Sequence, residues 1–148
     1  MSVRASLDSN ILIYAALEPA SDKGRAAQEL IERATPRGVL ATQTLLEFVA
    51  VIRRRAPSLT GQAIAQSEAW ASVFETVPTT LPIMREALKM VATHQFQVWD
   101  AVIWAASQGA GASVLFSEDF QDGFTMSGMT TLNPFARSAA ELAKLIGP

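Results

Sequence analysis

Val3-Arg4-Ala5-Ser6-Leu7-Asp8-Ser9-Asn10-Ile11-Leu12-Ile13-Tyr14-Ala15-Ala16-Leu17 sets the pattern from which the rest of the chain can be read. Val3 to Leu7 reads as a strand and Asp8-Ser9-Asn10 as a turn. Ile11 to Leu17 is an apolar helical stretch that Pro19 ends. A strand that delivers an acid and then feeds a helix is the opening of an α/β unit.

The alternation continues outward from there. Asp22 to Ala34 has Ala26, Ala27, Leu30 and Ile31 at helical spacing, and Pro36 and Gly38 mark a loop before the short strand Val39 to Ala41. Thr42 is a plausible cap for a helix Gln43 to Arg55, which Pro57 stops. Thr60 to Phe74 reads as a helix and Glu75 to Val77 as a strand. Pro82 suits the first turn of a helix running to about Gln95, with Ile83, Ala87, Leu88 and Val91 on one face. Trp99 to Gln108 is a mostly apolar helix, broken by Gly109 and Gly111 before the strand Val114 to Phe116. Thr130 to Leu132 is the last strand, Asn133-Pro134 a turn, and Ala136 to Ile146 a closing helix. About five strands with helices between them predict an α/β domain with a largely parallel sheet. At 148 residues with no linker or repeat, the whole chain 1–148 is expected to be one domain.

Composition excludes several chemistries. There is no cysteine, so no disulfide framework and no thiolate metal site. The single histidine, His94, rules out mechanisms that need two imidazoles. Met1-Ser2-Val3-Arg4 precedes no long apolar stretch, so no signal peptide is expected. No run is long enough to span a bilayer, and a cytoplasmic protein with no membrane partner is expected. The net charge of −2 is too balanced for wholesale binding to a polyanion. Arg53-Arg54-Arg55 reads first as cations at a helix C-terminus, and Trp70, Trp99 and Trp104 as core or interface aromatics.

The informative residues are acids in apolar company. Asp8 is the sole charged residue between Arg4 and Glu18, and Asp100 the sole one between Lys89 and Glu118. An unpaired carboxylate in such a setting costs several kcal/mol or takes up a proton. Asp8 and Asp119 each follow a strand, and parallel sheets form their sites beyond the carboxyl ends of strands. Asp100, in the N-terminal turn of its helix, can point to the same place. Converging carboxylates repel, and a divalent cation relieves the repulsion. Oxygen-only donors suit Mg²⁺, with Mn²⁺ possible. Taken singly, Asp8 and Asp100 read equally well as caps, and Asp119 as a polar turn residue. Glu47 lies roughly opposite Leu45, Val49 and Ile52 on its helix, and pattern alone does not place it.

Four segments together resemble the PIN-domain nucleases, and among them the VapC-type toxins of bacterial toxin–antitoxin pairs. They are Leu7-Asp8-Ser9-Asn10-Ile11-Leu12-Ile13-Tyr14, Thr42-Gln43-Thr44-Leu45-Leu46-Glu47-Phe48, Trp99-Asp100-Ala101-Val102-Ile103-Trp104-Ala105-Ala106, and Leu115-Phe116-Ser117-Glu118-Asp119-Phe120-Gln121-Asp122-Gly123. Asn133-Pro134-Phe135 is similar to the family's closing strand. The resemblance implies a Rossmann-like α/β/α sandwich and a Mg²⁺-dependent endoribonuclease. It puts Asp8, Glu47, Asp100 and Asp119 in the acidic, metal-binding site. Asn10 and Ser117 match polar positions that orient carboxylates, Asp122 is a lower-ranked fifth acid, and Glu118 is expected to point away. The resemblance also implies an RNA substrate, a cognate antitoxin and a homodimer, with the apolar helices Ile11 to Leu17 and Gln43 to Ile52 as candidate faces. The alternatives are a non-catalytic PIN-like interaction module or another metal-dependent phosphohydrolase. Against the latter, an aspartyl-nucleophile phosphatase wants an acid two residues after Asp8, where Asn10 stands.

Overall fold

A computed structural model describes residues 3–147. Of the N-terminal segment read above for a leader, Met1 and Ser2 lie outside the described residues, as does Pro148. Strands β1 (Ala5–Leu7), β2 (Val39–Ala41), β3 (Glu75–Val77), β4 (Val114–Phe116), β5 (Thr125–Met126) and β6 (Met129–Leu132) form one sheet in the order β3-β2-β1-β4-β6-β5. All neighbours pair in parallel except β5 and β6. Among the described residues there are seven α-helices: α1 (Ser9–Leu17), α2 (Asp22–Ala34), α3 (Thr42–Arg55), α4 (Thr60–Val73), α5 (Leu81–His94), α6 (Val98–Gly109) and α7 (Ala139–Ile146).

β1, β2 and β4 are buried on both faces, as a parallel sheet covered by helices must be. Their side chains still alternate. Ala5, Leu7, Leu40, Val114 and Phe116 enter a core with α1, α2, α3, α4 and α7. Ala41 and Leu115 enter a second core with α5 and α6. Ser6, on that second face, shares a hydrogen bond of 2.7 Å with Ser107 of α6 between their hydroxyls, which satisfies two fully buried groups. The result is an α/β/α sandwich with a mostly parallel central sheet.

Several local expectations change. Ser9 and Asn10 are the first residues of α1, because Asp8 caps that helix by accepting from the Ser9 amide. The first strand spans Ala5–Leu7 only. Thr42 lies inside α3, whose cap position is Ala41 with no side-chain bond. Gln97, and not Asp100, occupies the cap position of α6. Asn133-Pro134-Phe135 is no strand: Pro134–Ala136 is a 3-10 turn capped by Asn133, and α7 starts only at Ala139 behind its cap Ser138. The sixth strand, β5, was not expected. It closes a hairpin through Ser127 and Gly128, both at positive φ (52° and 81°), the geometry of a tight turn whose twist matches the strands. On α5 the covered positions are Ala87 and Met90, while Leu88 faces out.

Candidate active site

The chain runs from β1 through β2 to β3 on one side of the sheet, then returns to lay β4 on the other side of β1. The connections therefore diverge between β1 and β4, and a crevice opens beyond their carboxyl ends. Asp8 leaves β1 there, and Ser117, Glu118 and Asp119 leave β4. The Asp8 amide donates to the Phe116 carbonyl at 2.9 Å, so the two exits stay in register.

Asp8 is 2% exposed. Its Oδ1 accepts from the Ser9 amide at 2.7 Å, and its Oδ2 accepts from the Ser117 hydroxyl at 2.7 Å. Asn10 Nδ2 donates to Asp119 Oδ2 at 3.1 Å and to Ser117 Oγ at 3.3 Å, and lies 3.5 Å from Asp8 Oδ2. Ser117 Oγ also accepts from the Asp119 amide at 3.0 Å. Asn10 and Ser117 thus tie the two exits together across the crevice.

Glu47 and Asp100 come from α3 and α6, both half-buried. Glu47 accepts from the side chains of Ser9 and Gln43. Desolvation pushes the Asp8 carboxyl up to about 7, with the charges of Asp100 and Glu47 adding to it and the bonds from Ser117 and Ser9 opposing. Glu47 rises above its usual range through desolvation first, then the charges of Asp100 and Asp119. Asp100 rises through desolvation and the charge of Asp119. The charges of Glu47 and Asp100 therefore act on Asp8, that of Asp119 acts on Glu47 and Asp100, and Asn10 and Ser117 link Asp119 to Asp8 by hydrogen bonds.

It does not bring Asp122 among them. Asp122 Oδ1 accepts from the Asn133 amide at 2.9 Å and from Arg137 Nη1 at 2.8 Å, and this pairing holds its carboxyl below the usual range. Glu118 points away from the crevice, toward Tyr14 and Lys23. Ser9 and Gln43, which hydrogen-bond Glu47, were missed, because a Ser and a Gln at helix starts look like ordinary polar surface. Trp104 and Trp70 are buried, whereas Trp99 is exposed beside Asp100.

Among the described residues, no group of three or more His, Cys, Asp or Glu side chains is drawn together enough to hold a metal ion as it stands. The site is thus a set of coupled charges and not a closed cage. Its donor chemistry suits a hard divalent cation nonetheless. All four groups are carboxylates, three are pushed toward the neutral form, and a cation is what would favour their ionisation.

Comparison with known proteins gives a consistent picture. The PIN domain family profile matches residues 5–122. No curated protein sequence matches the chain. Among solved structures, a toxin–antitoxin complex from Klebsiella pneumoniae superposes with a TM-score of 0.66 at 21% identity, covering 88% of this chain and 97% of that one. Mycobacterium tuberculosis VapC20, a sarcin-ricin loop cleaving toxin, superposes at 0.64 with 17% identity, covering 78% and 91%. DNA-bound VapBC from Salmonella typhimurium superposes at 0.63 with 15% identity, covering 87% and 96%.

Proposed function

The chain belongs to the PIN domain family, and from that premise we propose that it is a metal-dependent endoribonuclease, the toxin of a toxin–antitoxin pair. The observation that carries the reading is the coupling of four carboxylates, from four separate segments, at the switch point of the sheet. A stable fold gains nothing by crowding acids in a crevice, and strongly perturbed groups in a cleft mark functional sites.

Asp8, Asp100 and Asp119 would hold the cation. Glu47 would complete that set or accept a hydrogen bond from the attacking water. When bound, Mg²⁺ or Mn²⁺ supplies charge neutralisation for the phosphodiester and makes water more acidic. The protein's own contribution is orientation. Ser117 and the Ser9 amide occupy the two oxygens of Asp8, so its carboxylate cannot rotate. Asn10 holds Asp119 from the opposite exit.

The partners in this reading are RNA, a cognate antitoxin and a second copy of the chain. The solved relatives that are toxin–antitoxin complexes support the antitoxin. A homodimer is supported by apolar side chains left in solvent on α3, α5 and α6: Leu46, Leu81, Met84, Leu88, Val98 and Trp99. The helix Ile11 to Leu17 is less suited to that role, since Ile11, Leu12 and Ala15 are spent in the core. No helix among the described residues is long and apolar enough to cross a membrane; a cytoplasmic location is part of the proposal.

The test is cleavage of a panel of structured RNAs with Mg²⁺, Mn²⁺ or chelator, for the wild type beside Asp100→Asn. Metal-dependent cutting that the substitution abolishes is the expected result. Equal cutting by both proteins would remove the four carboxylates from the mechanism. A chain that binds RNA or protein without cutting any substrate would be the non-catalytic module.

A further inference from the structure

Glu118 sits between two residues of the crevice yet serves neither. Ser117 and Asp119 turn toward Asp8 and Asn10, and Glu118 turns to the opposite side. There its Oε1 accepts from the Tyr14 hydroxyl at 2.7 Å and its Oε2 pairs with Lys23 Nζ at 2.5 Å. Lys23 Nζ also reaches the Tyr14 oxygen at 3.4 Å. The same ammonium lies 5.0 Å from the centre of the Tyr14 ring and 5.4 Å from that of Phe135, and the two rings meet edge to face at 5.2 Å. An isolated exposed ion pair holds its partners only weakly. Here two donors share one carboxylate, and the half-exposed cation also lies within reach of both aromatic rings, so several contacts hold Glu118 at once.

α1 supplies both sides of the grip. Asn10 and Tyr14 are four residues apart on that helix and so lie on one face. Asn10 Oδ1 accepts from the Glu118 amide at 3.4 Å and its Nδ2 donates to Asp119, while Tyr14 takes the Glu118 side chain. The three-residue segment is thereby held from the crevice side and from behind.

We propose that Tyr14 and Lys23 are positioning residues, which clamp Glu118 so that Ser117 and Asp119 stay turned toward Asp8. The link to catalysis rests on the metal-dependent reading above; the clamp itself does not.

The discriminating variant is Lys23→Met in the full chain, studied by Mn²⁺ binding (electron paramagnetic resonance) and by amide hydrogen exchange at Glu118 and Asp119. Coulomb's law alone predicts that removing a cation near the carboxylates tightens Mn²⁺ binding. The clamp predicts the reverse: affinity falls about tenfold, exchange at both amides quickens, and Lys23→Arg restores most of each. Tyr14→Phe keeps the ring against Phe135 and should show the same two effects more weakly, which guards against a Lys23 variant that folds poorly. Unchanged exchange, or Mn²⁺ binding that stays level or tightens, overturns the proposal. If the wild type binds no Mn²⁺ while exchange responds as described, the clamp stands and the metal reading falls.

Discussion

At Asp8 two demands compete. Its backbone position makes it the cap of α1, and its carboxyl is buried where water cannot solvate a charge. Desolvation wins over the bonds from Ser117 and Ser9, and the carboxyl is pushed up to about 7. The consequence for stability follows from linkage. Between the unfolded value near 4 and the folded value near 7, the folded chain holds a proton that the unfolded chain has lost, so this group's contribution falls as pH rises through that window. Asp8→Asn should remove that dependence. The unfolding free energy of the variant relative to wild type, without metal, should grow between about pH 4 and 7, at up to roughly 1.4 kcal/mol per pH unit. Urea titrations at several pH values measure it, and parallel slopes would refute it. Mn²⁺ should flatten the wild-type slope, because a cation stabilises the ionised form. The same variant should lose RNA cleavage while keeping its fold, since the amide can still accept from the Ser9 amide but no longer carries a charge.

At the scale of elements, α2 starts hard against the turn that ends α1. Gly24, in the first turn of α2, donates its amide to Ser21 Oγ at 2.9 Å, and a side chain there would run into the Glu18 carbonyl. Gly24→Ala should therefore cost about 1–3 kcal/mol through overpacking against backbone that cannot yield. Because α2 carries Lys23, it should also loosen the Glu118 clamp. Gly61, in α4, meets nothing within 4 Å. Gly61→Ala should stabilise by roughly 0.4–1 kcal/mol, mainly by reducing the freedom of the unfolded chain. Thermal denaturation of the two variants side by side checks both signs.

For the whole molecule, the unanswered charge and the unanswered apolar surface lie near each other in the chain. Leu46, 66% exposed, precedes Glu47, and Trp99, 59% exposed, precedes Asp100. A second copy packed on α3, α5 and α6 would cover such residues while flanking the acidic crevice. Leu46→Lys combined with Trp99→Lys should leave the proposed dimer monomeric in light scattering without loss of helical signal, as the core uses neither side chain. A wild type that is monomeric at all concentrations would remove the dimer from the proposed function.

Sequence alone determined whatever is set by periodicity and local turn chemistry. That includes β2, β3 and β4, the helix α2, the α/β alternation, and the lone charges Asp8 and Asp100 inside apolar segments. These follow from interactions between residues a few positions apart. The tertiary structure alone decided which of these residues meet. Ser117 reaches Asp8 across 109 positions of sequence, and Tyr14 reaches Glu118 across 104. Glu47, ambiguous on its helix, joins the other acids only because β2 pairs beside β1 and delivers α3 to the crevice. The hairpin of β5 escaped because a two-residue strand carries no period, and its Ser127-Gly128 turn is a weak local signal until β6 is there to pair. The exposure of Leu88 and Trp99 is illegible in the sequence for the same reason: an apolar residue on a helix looks alike whether its face meets a core or solvent. Only the packing of α5 and α6 on the sheet selects between the two.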